Sequence, residues 1–159
     1  MTANGLWTWV EAAYARPGVE AACLELQDHH GQNVPLLLWA VWAASADPDL
    51  TREAATAARN WETSVVGQLR LARRSLKAPA PAIAEPGRER LRQDVKAAEL
   101  AAERLLLEGL EMLTPARGAS RSIDALRTVS AAWGAAPNSP LAELADLLAS
   151  HLLDPGTGQ

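Results

Sequence analysis

Cys23, Gln27, Asp28, His29 and His30 crowd into one short stretch ahead of Gly31, and they are the residues best suited to chemistry. Cys23, Gln27 and His30 are spaced i, i+4, i+7, which places them on one helical face. A neighbouring imidazolium lowers a thiol's pKa, so a Cys–His pair can supply a nucleophilic thiolate. Two helical turns, however, hold these two side chains roughly 10 Å apart. The favoured reading is structural: a buried cysteine packing as a small hydrophobe, beside a Gln–Asp–His helix end that caps and meets water. His29 and His30 are adjacent and so face different ways, unlike the i, i+4 pair that grips a metal on a helix. A metal site would have to recruit His151 or distant carboxylates. The expectation is no metal and no cofactor.

Further along, Glu99, Glu103, Glu108 and Glu111 carry carboxylates at helical spacing, but no Glu-x-x-His motif of the di-iron kind accompanies them. A glycine-rich phosphate loop, a P-loop and a nucleophile elbow are all absent from the sequence. These residues point away from an enzyme.

Charge is the stronger signal. The chain is net −4. From Arg70 to Lys96, eight basic residues (Arg70, Arg73, Arg74, Lys77, Arg88, Arg90, Arg92, Lys96) stand against Glu85, Glu89 and Asp94, giving +5 there and −9 elsewhere. Cations at the end of a helix oppose its dipole favourably, which accounts for the first four. Arg88, Arg90 and Arg92 fall at the start of the next expected helix, where the dipole disfavours them. An anion-binding or partner-binding surface built from Arg70, Arg73, Arg74, Lys77, Arg88 and Arg92 follows. No aromatic residue lies between 70 and 96, so a stacking platform for single-stranded nucleic acid is missing.

The elements that must position these groups read as helices throughout. The chain is rich in alanine, the best helix former, and sparse in β-branched residues. It has no Phe, so six Trp and many Leu supply the core volume. One cysteine excludes an internal disulfide framework and a cysteine-based zinc site. The first ten residues lack the Lys or Arg of a signal-peptide n-region, and the longest apolar run, 34–44, is about half the ~20 residues of a bilayer span. The expected location is the cytoplasm.

A first helix is expected over 6–16 with Asn4 as N-cap, and Trp7 and Trp9 on opposite sides of it. A second covers 19–30 and stops at Gly31 in a left-handed C-cap. Asn33 and Pro35 start a third, 34–46, apolar nearly all round and therefore central and buried. Thr51 is the expected N-cap of a long helix reaching 76 or 77, with a heptad-like seam at Ala54, Ala58, Trp61, Val65, Leu69, Ala72 and Leu76. A proline-rich connector, 78–87, leads to a second long helix over 88–113. Its seam is expected at Leu91, Val95, Ala98, Ala102, Leu105 and Gly109, with Gly109 letting the backbones approach closely. Two such helices of about 25 residues, each ~40 Å long, suggest an antiparallel hairpin. Two shorter helices over 122–133 and 140–153 follow, and the final DPGTGQ should fray.

In order along the chain come Trp7-x-Trp9, Tyr14, Pro17-Gly18-Val19, Ala22-Cys23-Leu24-x-Leu26-Gln27-Asp28, Gly31, Val34, Leu36-Leu37-Leu38 and Trp42. Trp61, Val65-Val66, Leu69-Arg70, Arg73-Arg74-x-Leu76-Lys77 and Leu91-Arg92-x-x-Val95-Lys96-x-Ala98-Glu99-Leu100 continue the pattern. This order resembles a proteobacterial family of small all-helical proteins of unknown function, over about residues 6–108. Where the family pattern has Asn after the Val, this chain has Pro35. The resemblance implies a bacterial, cytoplasmic protein and brings no activity, cofactor or catalytic residue with it.

The expected fold is all-α: a single domain over 1–159 of six or seven helices, comprising core helices over 6–46, a long hairpin over 51–113 and C-terminal helices over 122–153. The expected function is that of a non-enzymatic adaptor or regulator docking another protein through the basic hairpin tip. One alternative is RNA or DNA association through the same tip, with steep salt dependence; an acidic lipid surface is a further anion of the same kind. Another is a bundle binding or acting on an apolar lipid or isoprenoid near Trp39, Trp42 and Trp61, oriented by Cys23 and Gln27. Off-seam Leu71, Leu100 and Leu107 suggest self-association.

Overall fold

The computed structural model describes residues 5–152, with side chains through Ala149. The expectations for Asn4, the His151 and Leu152 side chains and the frayed tail lie outside that range. The described residues form eight α-helices: α1 (Leu6–Tyr14), α2 (Val19–His30), α3 (Val34–Ala43), α4 (Pro48–Trp61), α5 (Gly67–Ser75), α6 (Glu85–Leu113), α7 (Ser122–Trp133) and α8 (Asn138–Leu152). A π-helical stretch, Glu62–Val66, joins α4 to α5 without a break, so the eight segments make seven rods. Among the described residues there is no strand.

The central position of α3 follows from its composition. Every residue of it except Pro35 is buried, because an apolar helix has no face to offer water. It is packed by α1, α2, α4, α6 and α7. Leu36, Leu37 and Leu38 are each 1 % exposed and contribute about 1.5–3 kcal/mol apiece. The N-terminus is set as expected: Gly31 ends α2 at φ 60°, a conformation open to glycine, and the Asn33 side chain accepts from Leu36 N at 3.0 Å. At the other end, Gly118 N and Ser120 N donate to the carbonyls of Ala43 and Ala44 at 2.7 and 2.9 Å, and Arg117 Nε donates to Trp42 O at 2.6 Å. A strap following α6 thus closes the open carbonyls of the central helix.

Several expectations are corrected. The long helix begins at Pro48, with Asp47 as its cap accepting from Asp49 N at 2.9 Å. Thr51 sits inside it, 1 % exposed. α6 begins at Glu85, because Pro86 falls in its first turn, where a missing N–H costs nothing. Trp7 and Trp9, on opposite sides of α1, are both half-buried at the rim of the core, in keeping with the expectation for them. On α6 the buried side chains are Glu99, Ala102, Leu106, Leu107 and Leu110, whereas Leu91 and Leu105 are exposed. A strict heptad seam drifts by about 20° per repeat around a straight helix, which accounts for this slippage over a helix of such length. Gly109 is accordingly exposed, with nothing within 4 Å of where a Cβ would sit, and brings no backbones together.

The rod formed by α4 and α5 runs against α6 as the expected hairpin. Its seam shifts by one residue at the π stretch: Val66 is buried where Val65 was expected. The backbone N–H of Gly67 donates to Glu62 O, five residues back. A Cβ on residue 67 would lie 2.8 Å from that oxygen, so glycine is what permits the extra residue. Past this point the side of the rod facing α6 carries Arg70 and Arg73.

Candidate functional site

The π stretch places a cluster of charges between α5 and α6. Arg70 donates from Nη1 to Glu62 Oε1 at 2.6 Å and from Nε to Glu99 Oε1 at 3.2 Å, with Glu103 Oε1 3.8 Å from its Nη2. Arg73 Nε donates to the other oxygen of Glu99 at 2.5 Å. Burial alone pushes the Glu99 carboxyl up, but Arg73 and Arg70 outweigh it and hold it below the usual carboxylate range. Glu103 goes the other way. Burial first, and then the Glu99 and Glu62 charges, push it up to about 7 against the opposing pull of Arg70 and Arg73.

Two of the six cations expected at the tip are therefore engaged inside the hairpin. Two more are held locally. Arg88 pairs with Glu85 at 2.5 Å and also donates to the carbonyl of Leu76, closing the C-terminus of the opposite helix. That contact supplies the reason for a cation early in α6, which the dipole argument lacked. Arg92 pairs with Glu89 at 3.1 Å. Arg74 and Lys77 are exposed, as are Arg90 and Lys96, and among the described residues none of the four has a carboxylate within ion-pair distance. The tip left after this internal pairing is a smaller cationic surface, set by those four and Asp94.

That surface is also apolar. No residue from 67 to 98 is buried. Leu71, Ile83 and Leu91 are exposed by 58 %, 57 % and 51 %. Leu69, Leu76 and Val95 are half-buried between the helices, so the closed end is a bare two-helix finger. Leu71 and Leu100 are exposed as expected of off-seam positions, but Leu107 is 3 % exposed and belongs to the core.

The polar corner does not come together as a unit. Cys23 is fully buried, and burial pushes its thiol up to about 12, with Tyr14 its hydrogen-bonding neighbour. That is the opposite of an activated thiolate. His30 and His29 each lie 3.7 Å from Glu25. Asp28 is exposed and accepts a long contact of 3.5 Å from Gln27 Nε2. Gln27 also lines a cavity of 240 Å3 together with Arg70, an expected tip residue. Among the described residues no group of His, Cys, Asp and Glu can hold a metal ion, and no helix is long and apolar enough to cross a membrane.

The ligand site expected near Trp39, Trp42 and Trp61 is filled. Trp39 is fully buried with Nε1 donating to Thr114 Oγ1 at 2.9 Å, Trp42 lies under Arg117 at 5.2 Å, and Trp61 Nε1 donates to Ala102 O at 2.8 Å. The open space lies instead beside Gln27 and Glu103, which sequence reasoning missed as a pair. Glu103 was legible only as one carboxylate among several on α6.

No curated protein and no solved structure matches the chain. One family does, and the matched segment carries the π stretch, the charge cluster and the whole hairpin tip. Matched over residues 5–110, the chain belongs to the family described as a protein of unknown function, DUF2390.

Proposed function

We propose that this protein is a non-enzymatic adaptor or regulator that docks an acidic, leucine-rich or otherwise apolar segment of a partner protein onto the closed end of the hairpin. The observation that carries this is the combination at residues 67–98: no buried residue, three large apolar side chains exposed by more than half, and four cations with no partner among the described residues. Apolar surface with a rim of one charge sign is the composition of a protein docking site. The contact set in this reading is Leu71, Arg74, Lys77, Ile83, Arg90, Leu91 and Lys96, the exposed apolar and uncompensated cationic side chains of the finger. Arg70, Arg73, Arg88 and Arg92, expected to touch the partner, hold the finger's shape.

Nucleic acid matches this surface less well. Internal pairing halves the number of cations available to phosphates, and the intervening side chains are aliphatic, offering no stacking face.

The test is partner capture from native lysate by wild type and by the fourfold variant Arg74→Glu, Lys77→Glu, Arg90→Glu, Lys96→Glu, with circular dichroism to confirm folding. The expected result is loss of an acidic protein partner on charge reversal and also on Leu71→Asp. Retention of every partner by both folded variants would refute the assignment. Capture of nucleic acid instead, with affinity falling between 50 and 200 mM salt (a concentration series, about 10²-fold for four contacts), would replace it.

A further inference from the structure

A second cavity, of 210 Å3, adjoins the first, and Gln27, Val34, Pro35 and Glu103 line both. Sharing that wall, the two lie side by side in the groove between the α2–α3 corner and α6, with Trp133 lining the first and Trp7 the second. Each alone falls below the roughly 300 Å3 at which ligand pockets commonly begin, a size for a small ligand only. The groove's floor is apolar, with Val34, Pro35 and Leu38 at the centre.

The charges in the walls are unbalanced. Glu11, Glu62 and Glu103 face a single lining cation, Arg70. Arg70 is turned toward Glu62 and Glu99, and Glu103, 3.8 Å away, accepts no hydrogen bond among the described residues. At the Trp133 end, Gln32 is 3 % exposed. Its Nε2 donates to the carbonyls of His30 and Gly134 at 3.2 and 2.6 Å, and its Oε1 has no partner among the described residues. Acceptors without hydrogen-bond donors over an apolar floor suit a cation that carries such donors; the indole rings of Trp133 and Trp7 are themselves already stacked by Arg59 and Arg104 at 4.4 and 4.8 Å and serve as apolar end walls.

We propose that this groove binds a small organic amine, its ammonium group set against Glu103 and its carbon chain lying over Val34, Pro35 and Leu38 toward Trp7. A carboxylic acid of the same length meets Glu103, Glu62 and Glu11 as like charges. An alcohol fills the same space without charge assistance.

The titratable and charged groups facing Glu103 are Glu99 on its own helix, Glu62 from the π stretch, Arg70 and Arg73 from α5, and Tyr14 and Glu11 from α1. With Glu103 raised to about 7, its ionised fraction grows about tenfold between pH 6 and pH 8. An ammonium ion that binds the ionised form therefore gains about tenfold in affinity over that interval, and its binding at pH 7 releases about half a proton per molecule.

Calorimetric titration of the full chain with n-hexylamine, n-hexanol and hexanoate, at pH 6, 7 and 8, tests this. The expected result is amine binding at least about tenfold tighter than alcohol or acid, strengthening about tenfold from pH 6 to pH 8, and lost in Glu103→Gln. Equal binding of hexanol and hexylamine, a flat pH dependence, no binding of the amine at millimolar concentration, or full binding by Glu103→Gln would each overturn it. Should Glu103→Gln not fold, the amine-to-alcohol ratio and the pH slope of the wild type decide alone.

Discussion

Replacing Gly67 by alanine sets two effects of opposite sign against each other. In an ordinary helix interior Gly→Ala stabilises by about 1 kcal/mol. At position 67 the new Cβ meets the Glu62 carbonyl oxygen at 2.8 Å, and that oxygen is backbone. The chain can relieve the contact only by giving up the π register, which turns the residues beyond it by about 100°. Arg70 and Arg73 then leave Glu99, which is 7 % exposed and would lose both cations. Stripping a buried ion pair of its partner costs about 3–5 kcal/mol. The net expectation for Gly67→Ala is a loss of roughly 2–4 kcal/mol, or about 5–15 °C in Tm for a chain of this size. Gly109→Ala is the control: the same helix chemistry with nothing within 4 Å, expected to gain about 0.5–1 kcal/mol. Urea unfolding of both variants supplies the measurement. If Gly67→Ala is as stable as wild type or gains in step with Gly109→Ala, the π stretch does not position the charge cluster and the reasoning fails.

Other consequences follow from single contacts. Glu103 has a folded-state pKa raised to about 7, so the folded protein holds this proton more tightly than the unfolded chain and loses stability as pH rises from about 4.5 to 7. Glu103→Gln removes that loss: thermal melts should show it about 1–3 kcal/mol more stable than wild type at pH 8, and little different at pH 4.5. Thr114→Val leaves the Trp39 indole N–H unpaired in the core and should cost about 1–3 kcal/mol by urea unfolding. Cys23 should react with a disulfide reagent no faster than the protein unfolds, since its thiol is buried and raised to about 12; rapid labelling under native conditions would contradict that.

The core was legible because its signals are local. Nine of the ten residues of α3 are buried and apolar, and with a glycine ending α2 and an Asn-x-Pro start few alternatives remain; Gly31 and Asn33 do what their types suggest. The hairpin was legible from length and from the prolines between its arms. The facing sides of its helices were not. One extra residue in a π stretch leaves no trace in apolar periodicity beyond Gly67, yet it brings Arg70 and Arg73 to the interface beside Leu69 and leaves Ala72 exposed. Arg70 and Arg73, two of the expected contact residues, turn inward for that kind of reason, since a charge run in sequence does not show which members meet carboxylates across a helix pair; Arg88 and Arg92 pair with Glu85 and Glu89 on their own helix. Gln27 and Glu103 are 76 positions apart, and no short-range pattern links them.

The docking surface is tested most directly by photo-crosslinking in native cells, with a photoreactive residue placed in turn at positions 71, 91 and 112. Met112 lies on the same helix as Leu91 and is the more exposed of the two, at 87 %, but sits at the opposite end of α6. The account predicts crosslinks from positions 71 and 91 to one acidic partner, with none to that partner from 112. Crosslinking to the same partner from 112 alone, or no crosslink from either tip position, would contradict it.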